Sequence, residues 1–265
     1  VNEGIRVSNQ ITLTALQDLP LVKSGDDLCS LITDGLTRLP LVLCDGDIIV
    51  VAQKIISKAE GRTVNLNTVS PSARAMELAG ETQKDARVVE LILSESKSIV
   101  RKKTGVMIVE HNRGWIMANA GIDASNVRSD GGEENVLLLP LDPEQSATNL
   151  RDALMQRHGC DVAVVISDSF GRPWRLGTTG VAIGASGLPS LWDRRGEVDL
   201  FGRELIVTQQ AIADEVATAA SLLQGQTAEG RPVVHMRGLD FRGHASAHHR
   251  PASDLIRDIA EDMFR

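Results

Sequence analysis

The chain has 265 residues, 42% of them apolar and 24% charged, which gives length enough for one large domain or two small ones around a buried core. Aromatics make up only 3% and tyrosine is absent, which argues against a surface that stacks single-stranded bases. A net charge of -7 advertises no basic face for duplex nucleic acid, so an anionic ligand would need a local cluster of cations or a metal ion.

Short β-rich runs alternate with helical ones, which predicts an α/β fold with mixed sheets. Ser24-Gly25-Asp26-Asp27 caps a helix reaching residue 39, with Leu28, Leu31, Ile32 and Leu36 on one face. The turn Asp45-Gly46-Asp47 leads into a buried strand, Ile48-Ile49-Val50-Val51-Ala52, and then a polar segment over 53–62. A helix is predicted over 72–93, weakened at Gly80. Val106-Met107-Ile108-Val109 and Trp115-Ile116-Met117-Ala118 flank Asn112-Arg113-Gly114 as a hairpin. Residues 120–134 form a long polar loop, of the kind that carries function, before the strand Val136-Leu137-Leu138-Leu139. Asp142-Pro143-Glu144-Gln145 starts a helix that ends at His158-Gly159. Val162-Ala163-Val164-Val165-Ile166 is an apolar strand, followed by a polar and Gly/Thr-rich stretch to residue 187. Leu205-Ile206-Val207 reads as a strand, Thr208 as the start of a helix reaching residue 223, and the loop 225–231 leads to a strand over 232–236. No repeat or linker divides the chain: residues 1–243 read as one domain, with room for two interleaved subdomains, and 244–265 as a peripheral tail.

No run approaches the roughly 18 apolar residues of a membrane helix, and the first ten residues lack a signal pattern. Cys29, Cys44 and Cys160 are odd in number and far apart, which predicts reduced, buried thiols in a cytoplasmic protein rather than disulfides or a metal site.

Buried parallel strands deliver ligand groups at their C-terminal ends. Three polar clusters follow apolar strands: Ser57-Lys58-Ala59-Glu60-Gly61-Arg62, Gly121-Ile122-Asp123-Ala124-Ser125-Asn126, and Asp168-Ser169 with Gly171-Arg172. Any one of them is ordinarily a solvated turn or a cap. Together, Asp123, Asp168 and the Ser169 hydroxyl supply the hard oxygens that Mg²⁺ or Mn²⁺ prefers. Lys58, Arg62, Arg172 and Arg175 are candidate cations for phosphates or carboxylates. There is no Gly-x4-Gly-Lys-Ser/Thr loop and no Gly-x-Gly-x-x-Gly after a strand, which disfavours P-loop and Rossmann folds. Gly184-Ala185-Ser186-Gly187 misses the spacing of a nucleophile elbow. His244, His248 and His249 lack a further ligand at zinc spacing and read as solvated, and His235 reads as a satisfied core histidine.

The clusters Leu19-Pro20-Leu21, Gly25-Asp26-Asp27-Leu28, 57–62, 120–126, Ser167-Asp168-Ser169-Phe170-Gly171-Arg172-Pro173-Trp174-Arg175 and Ala213-Asp214-Glu215 occur in the order found in one family. From about residue 11 to 239 the chain resembles the coenzyme F420:L-glutamate ligase (F420-0 gamma-glutamyl ligase) family. The resemblance implies an intertwined homodimer of a distinct α/β fold and a GTP-dependent ligase. It would join L-glutamate to the deazaflavin precursor F420-0, then to the growing tail, through an acyl phosphate. It implies two divalent ions, Mg²⁺ or Mn²⁺, with K⁺ as a further cation. By motif, Asp123, Asp168, Ser169 and Gln226 would hold metal, with Asp123 and Asp168 catalytic. Leu19, Pro20, Leu21, Val22, Lys58, Asn126 and Gln226 would contact the nucleotide. Gln226 aligns loosely, and Glu229 competes with it. Gln53-Lys54 stands where some relatives have Ser-Thr, which leaves that nucleotide contact open. A non-catalytic nucleotide-binding relative, or an amide ligase for another phosphate-bearing acid, are the alternatives.

Overall fold

The computed structural model describes residues 10–127, 134–241 and 250–263. A five-stranded sheet is its centre, in the order β1 (Thr12–Ala15), β12 (Val233–Arg237), β2 (Ile48–Ala52), β8 (Ala163–Arg172) and β9 (Arg175–Ser186). Within it only β2 and β8 are parallel, with Ala52 opposite Ser167, so both strands end at the same edge of the molecule. Both faces of the sheet are covered, which explains strands without a polar side. Ile49, Val51, Val164 and Ile166 enter one core with α1 (Leu28–Arg38) and α5 (Pro143–His158), while Ile48, Val50, Ala163 and Val165 enter another with α6 (Ile212–Gln224). All eight of these strand residues are inaccessible to solvent, the seven Val and Ile side chains each contributing about 1.5–3 kcal/mol by burial.

Two glycines let the helices touch β9. A Cβ on Gly180 would lie 2.4 Å from the Ala217 carbonyl oxygen of α6, and one on Gly184 would lie 2.3 Å from the Pro143 carbonyl oxygen of α5. Residues 180 and 184 share a parity and would normally share a face. Ile166 pairs with Gly184 but Ser167 with Ala182, so Ile183 is an extra residue on β9. That bulge reverses the faces, sending Gly180 toward α6 and Gly184 toward α5.

Between α2 (Gln53–Ala59) and β8 the chain builds a smaller unit. Helices α3 (Ala73–Thr82) and α4 (Ala86–Ser94) pack on the antiparallel sheet β4 (Ser96–Lys103), β5 (Val106–His111) and β6 (Ile116–Ala118). The pair β3 (Thr63–Asn65) and β7 (Asn135–Leu137) connects it to the main body. A buried clasp reinforces the join. Arg62 donates from Nε to the Leu139 carbonyl at 2.8 Å and from Nη2 to Glu95 Oε1 at 3.0 Å, with His111 Nε2 at 3.7 Å from the same carboxylate.

Several elements differ from the sequence reading. The helix over 72–93 is two, broken at Gln83, which adopts φ +52°, with Asp85 capping the second. The polar segment after β2 is largely helical, as α2. The Gly/Thr-rich stretch to 187 is the long strand β9, whose small residues fit close packing against α5 and α6. Residues 205–207 are not a strand, α6 begins at Ile212 rather than at Thr208, and of the three cysteines only Cys29 is buried, Cys44 being exposed and Cys160 partly so. Ile206 and Val207 are exposed, and the short strand β11 is Gln209–Gln210, paired with β10 (Trp192–Asp193). The predicted hairpin, the Asp142 cap and the Gly159 C-terminus of α5 are found where expected. Beyond residue 243, Ala252 is buried in the α6 core and Ser190 N donates to the Arg250 carbonyl at 3.1 Å. His244, His248 and His249 lie outside the described residues.

Candidate active site

The shared end of β2 and β8 opens into a cavity of about 570 Å³. Leu19, Pro20, Leu21 and Val22 form one wall, Gln53, Lys54, Ile55 and Lys58 of α2 a second, and residues 225–232 a third. Asp168, Ser169, Asn126 and Gln226 also line it. Of the ten residues singled out by motif, nine therefore surround one space, and Asp123 stands just behind it, ion-paired with the lining residue Lys54.

Local structure explains how each group is aimed. β2 runs into α2 without a loop, Ala52 being both the last strand residue and the helix N-cap. Lys54 and Lys58 are four residues apart and so share a helix face. That face looks at the 123–126 turn: Lys54 Nζ lies 2.7 Å from Asp123 Oδ2 and donates to Ser125 Oγ at 2.6 Å, and Lys58 Nζ donates to the Asn126 carbonyl at 2.7 Å. Asn126 Nδ2 in turn donates to the Thr227 carbonyl at 3.0 Å, tying the turn to the third wall. The backbone of Asp123 is pinned to β7 by reciprocal bonds with Leu137, 3.1 and 2.8 Å. Before it, Asn119, Ala120 and Gly121 are all left-handed. A Cβ on Gly121 would sit 2.8 Å from Leu139 and from Met117, so glycine is required there twice over.

Asp168 stands on β8, one residue past the level where β2 ends. Gln53 starts α2 beside it, buried, accepting from Ser57 Oγ at 2.9 Å and hydrogen-bonding the Asp168 carboxyl. Among the described residues no lysine or arginine lies within ion-pair distance of Asp168. Burial pushes its carboxyl up to about 6, and the Asp123 charge adds to this. The Ser169 amide, 2.8 Å away, together with Lys54 and Gln53, offsets only part of that rise. Burial also opposes ionisation of Asp123, but Lys54 and the Ser125 amide and hydroxyl outweigh it and hold that carboxyl below its usual range. Burial, and then the neighbouring Lys54 charge, lowers the Lys58 ammonium.

Asp123 and Asp168 thus feel one another electrostatically with a single ammonium between them. No group of three His, Cys, Asp or Glu side chains among the described residues is arranged to hold a metal ion. The donors present are two carboxylates, the Ser169 hydroxyl and the Gln226 amide oxygen, an all-oxygen set that fits a hard divalent ion sharing its shell with water and phosphate. Glu229 folds back on its own loop, accepting from Thr227 N at 2.8 Å and Thr227 Oγ1 at 3.2 Å, whereas the Gln226 side chain has no such brace among the described residues.

The remaining predicted cations lie elsewhere. Arg62 is spent in the Glu95 clasp, and Arg172 and Arg175 face each other at the exposed tip of the β8–β9 hairpin. Sequence reasoning passed over Arg231, which lines the cavity with its Nε buried and without a hydrogen-bond partner among the described residues. Its only signal was a basic residue next to a Gly-rich loop.

The family model described as F420-0:Gamma-glutamyl ligase matches residues 17–238. The chain belongs to the F420-0:gamma-glutamyl ligase family. A protein of Methanothermobacter thermautotrophicus named coenzyme F420:L-glutamate ligase is 44% identical over 255 residues, 96% of this chain and 99% of its own. Proteins of the same name from Methanocaldococcus jannaschii and Halobacterium salinarum are 42% and 39% identical, each covering at least 94% of both chains. The family match spans all ten motif-selected residues, Leu19 through Gln226, so the cavity is a feature of the ligase part of the chain.

Proposed function

We propose that this chain is a coenzyme F420:L-glutamate ligase that uses GTP to drive amide formation. The observation that carries the reading is the gathering of residues from five separate segments, 19–22, 53–58, 123–126, 168–169 and 226–231, around one cavity that is apolar on one side and charged on the other. The apolar wall 19–22 suits a purine base. Lys58 and Arg231 suit its phosphates. Lys58 offers a point charge, and Arg231 a fork whose Nε has no other partner.

A carboxylate is a poor electrophile, and phosphorylation gives it a leaving group. An oxygen of the acceptor carboxylate attacks the γ-phosphorus as the bond to GDP breaks, giving an acyl phosphate. The glutamate amine then attacks the acyl carbon, the C–N bond forms, the amine sheds a proton and inorganic phosphate departs. A divalent ion held by Asp123, Asp168, Ser169 and Gln226 would neutralise charge building on the transferred phosphoryl group. The protein's own part is positional. Gln53 and the Ser169 amide fix the Asp168 carboxylate, Lys54 fixes Asp123, and the cavity walls limit water access to the acyl phosphate.

The deciding experiment is mass spectrometry of the deazaflavin product after incubation with GTP, Mn²⁺ and L-glutamate. A gain of one or more glutamyl units is expected. An unchanged mass in the presence of an active reference ligase would refute the reading. Magnesium can replace manganese and K⁺ act as a further cation, and the enzyme works in the cytoplasm as a homodimer. Support for a dimer comes from the exposed apolar side chains Trp174, Leu176, Leu200 and Phe201, all more than four-fifths accessible in the single chain.

A further inference from the structure

Lys54 holds a position that a metal ligand set does not usually share with an ammonium. Its Nζ is surrounded by three oxygens: Asp123 Oδ2 at 2.7 Å, Ser125 Oγ at 2.6 Å and the Ser125 carbonyl at 3.4 Å. Ser125 is itself locked, donating from N and Oγ to the two Asp123 oxygens at 2.7 Å each. The side chains of Lys54 and Asp123 are 28% and 40% exposed, so the pair is part-shielded from solvent. The second carboxylate, Asp168, has no cation in contact among the described residues and senses the Lys54 charge from a distance.

We propose that Lys54 is a resident cation that competes with a divalent ion for Asp123, and that ion entry transfers its ammonium to the nucleotide's phosphates. The inference deepens the reading of Asp123 as an ion ligand and rests on it. The physical argument is charge balance. Two carboxylates without any cation would repel one another at close range, whereas one ammonium leaves the acidic end of the cleft at a net charge of about -1 when both ionise. A divalent ion that binds Asp123 through Oδ2 displaces Lys54, because that oxygen already accepts both Lys54 and Ser125 Oγ, whereas Oδ1 accepts only the Ser125 amide. A displaced ammonium in a half-buried site needs a new anionic partner, and the nucleotide phosphates that the proposed function brings into the same cavity supply one. Metal and nucleotide binding are therefore coupled through this side chain, each making room for the other.

The test is Mn²⁺ binding by electron paramagnetic resonance, at constant pH and ionic strength, with and without a non-hydrolysable GTP analogue. Lys54→Met and Lys54→Gln are expected to bind Mn²⁺ alone about tenfold more tightly than the parent chain. The analogue should tighten Mn²⁺ binding in the parent and do so markedly less in these two variants. Lys54→Arg, which keeps the charge, should behave like the parent. Melting curves of each variant verify that it is folded. Unchanged or weaker Mn²⁺ binding in both neutral variants would overturn the inference while leaving the ion assignment standing, provided Asp123→Asn loses Mn²⁺. If Asp123→Asn binds Mn²⁺ as the parent does, the ion assignment itself falls, and the competition falls with it.

Discussion

Asp168 carries a cost in the folded chain, since its carboxyl is half-buried at the cavity with no lysine or arginine in contact among the described residues. Replacing it with asparagine keeps the shape and removes the charge. Asp168→Asn should therefore melt at or above the parent temperature at pH 7.5 while losing glutamate-dependent GDP release by at least about a hundredfold. Near-normal turnover would dismiss its role. Lys58 is a different case, because its ammonium is anchored to the Asn126 carbonyl on the same turn that carries Asp123. Lys58→Ala should raise the KM for GTP about tenfold or more with a smaller effect on the KM for glutamate. Equal effects on both would contradict a nucleotide role. Arg231→Met, by removing a guanidinium whose buried Nε has no hydrogen-bond partner among the described residues, should weaken binding of an anionic substrate at little cost to stability, read by titration against thermal melting.

At the scale of elements, the site depends on turns that only particular residues can make. Gly121→Ala meets Leu139 and Met117 at 2.8 Å and forces a left-handed alanine. It should cost about 2–3 kcal/mol and shift the Asp123 turn, seen as a lower melting temperature with weaker Mn²⁺ binding. At the opposite end of β2, Asp47 lies almost wholly buried. Arg237 Nε and Nη2 donate to its two oxygens at 2.7 and 2.6 Å, and His235 Nε2 lies 2.9 Å from Oδ2. Burial raises this carboxyl, but Arg237, His235 and the Cys44 amide overcome that and hold it far below the carboxylate range. A depressed acid contributes stability that is present above its unfolded pKa, near 4, and is lost as pH falls toward the folded value. Acid unfolding should therefore steepen below about pH 4 in the parent and flatten there in Asp47→Asn, followed by circular dichroism.

Over the whole molecule, the apolar surface is unevenly spread. Trp174 and Leu176 project at the tip of the β8–β9 hairpin, and Leu200, Phe201, Ile206 and Val207 lie on the segment between β10 and β11, all highly exposed. Side chains of that size in water on protruding elements are the signature of a surface made to be covered. The homodimer reading expects twice the chain mass by light scattering. Trp174→Asp combined with Leu176→Asp should shift the protein toward monomer with its circular dichroism unchanged. A parent chain that is monomeric at tens of micromolar would reject the dimer.

The local chemistry of the chain was readable from its order of residues. The Asp142 cap with Pro143, the Gly159 stop, the β5–β6 turn and the apolar β2 and β8 runs each follow from short-range rules of capping, twist and burial. The motif clusters also identified the polar residues that meet at the cavity, because strand ends and glycine turns are where side chains can be offered to a ligand. What the sequence left open was everything decided by partners far along the chain. A glycine-rich stretch became strand β9 because α5 and α6 press on it closely enough to exclude a Cβ. Arg62 is held away from the cavity because folding brings Glu95 and the Leu139 carbonyl to it, while folding sets Arg231 on the cavity wall with its Nε lacking a hydrogen-bond partner among the described residues. Lys54 looked like a departure from pattern until Asp123, 69 positions later, was found at 2.7 Å. Charge pairing depends on distance in space, and only the tertiary packing of the strand ends against the turns sets that distance.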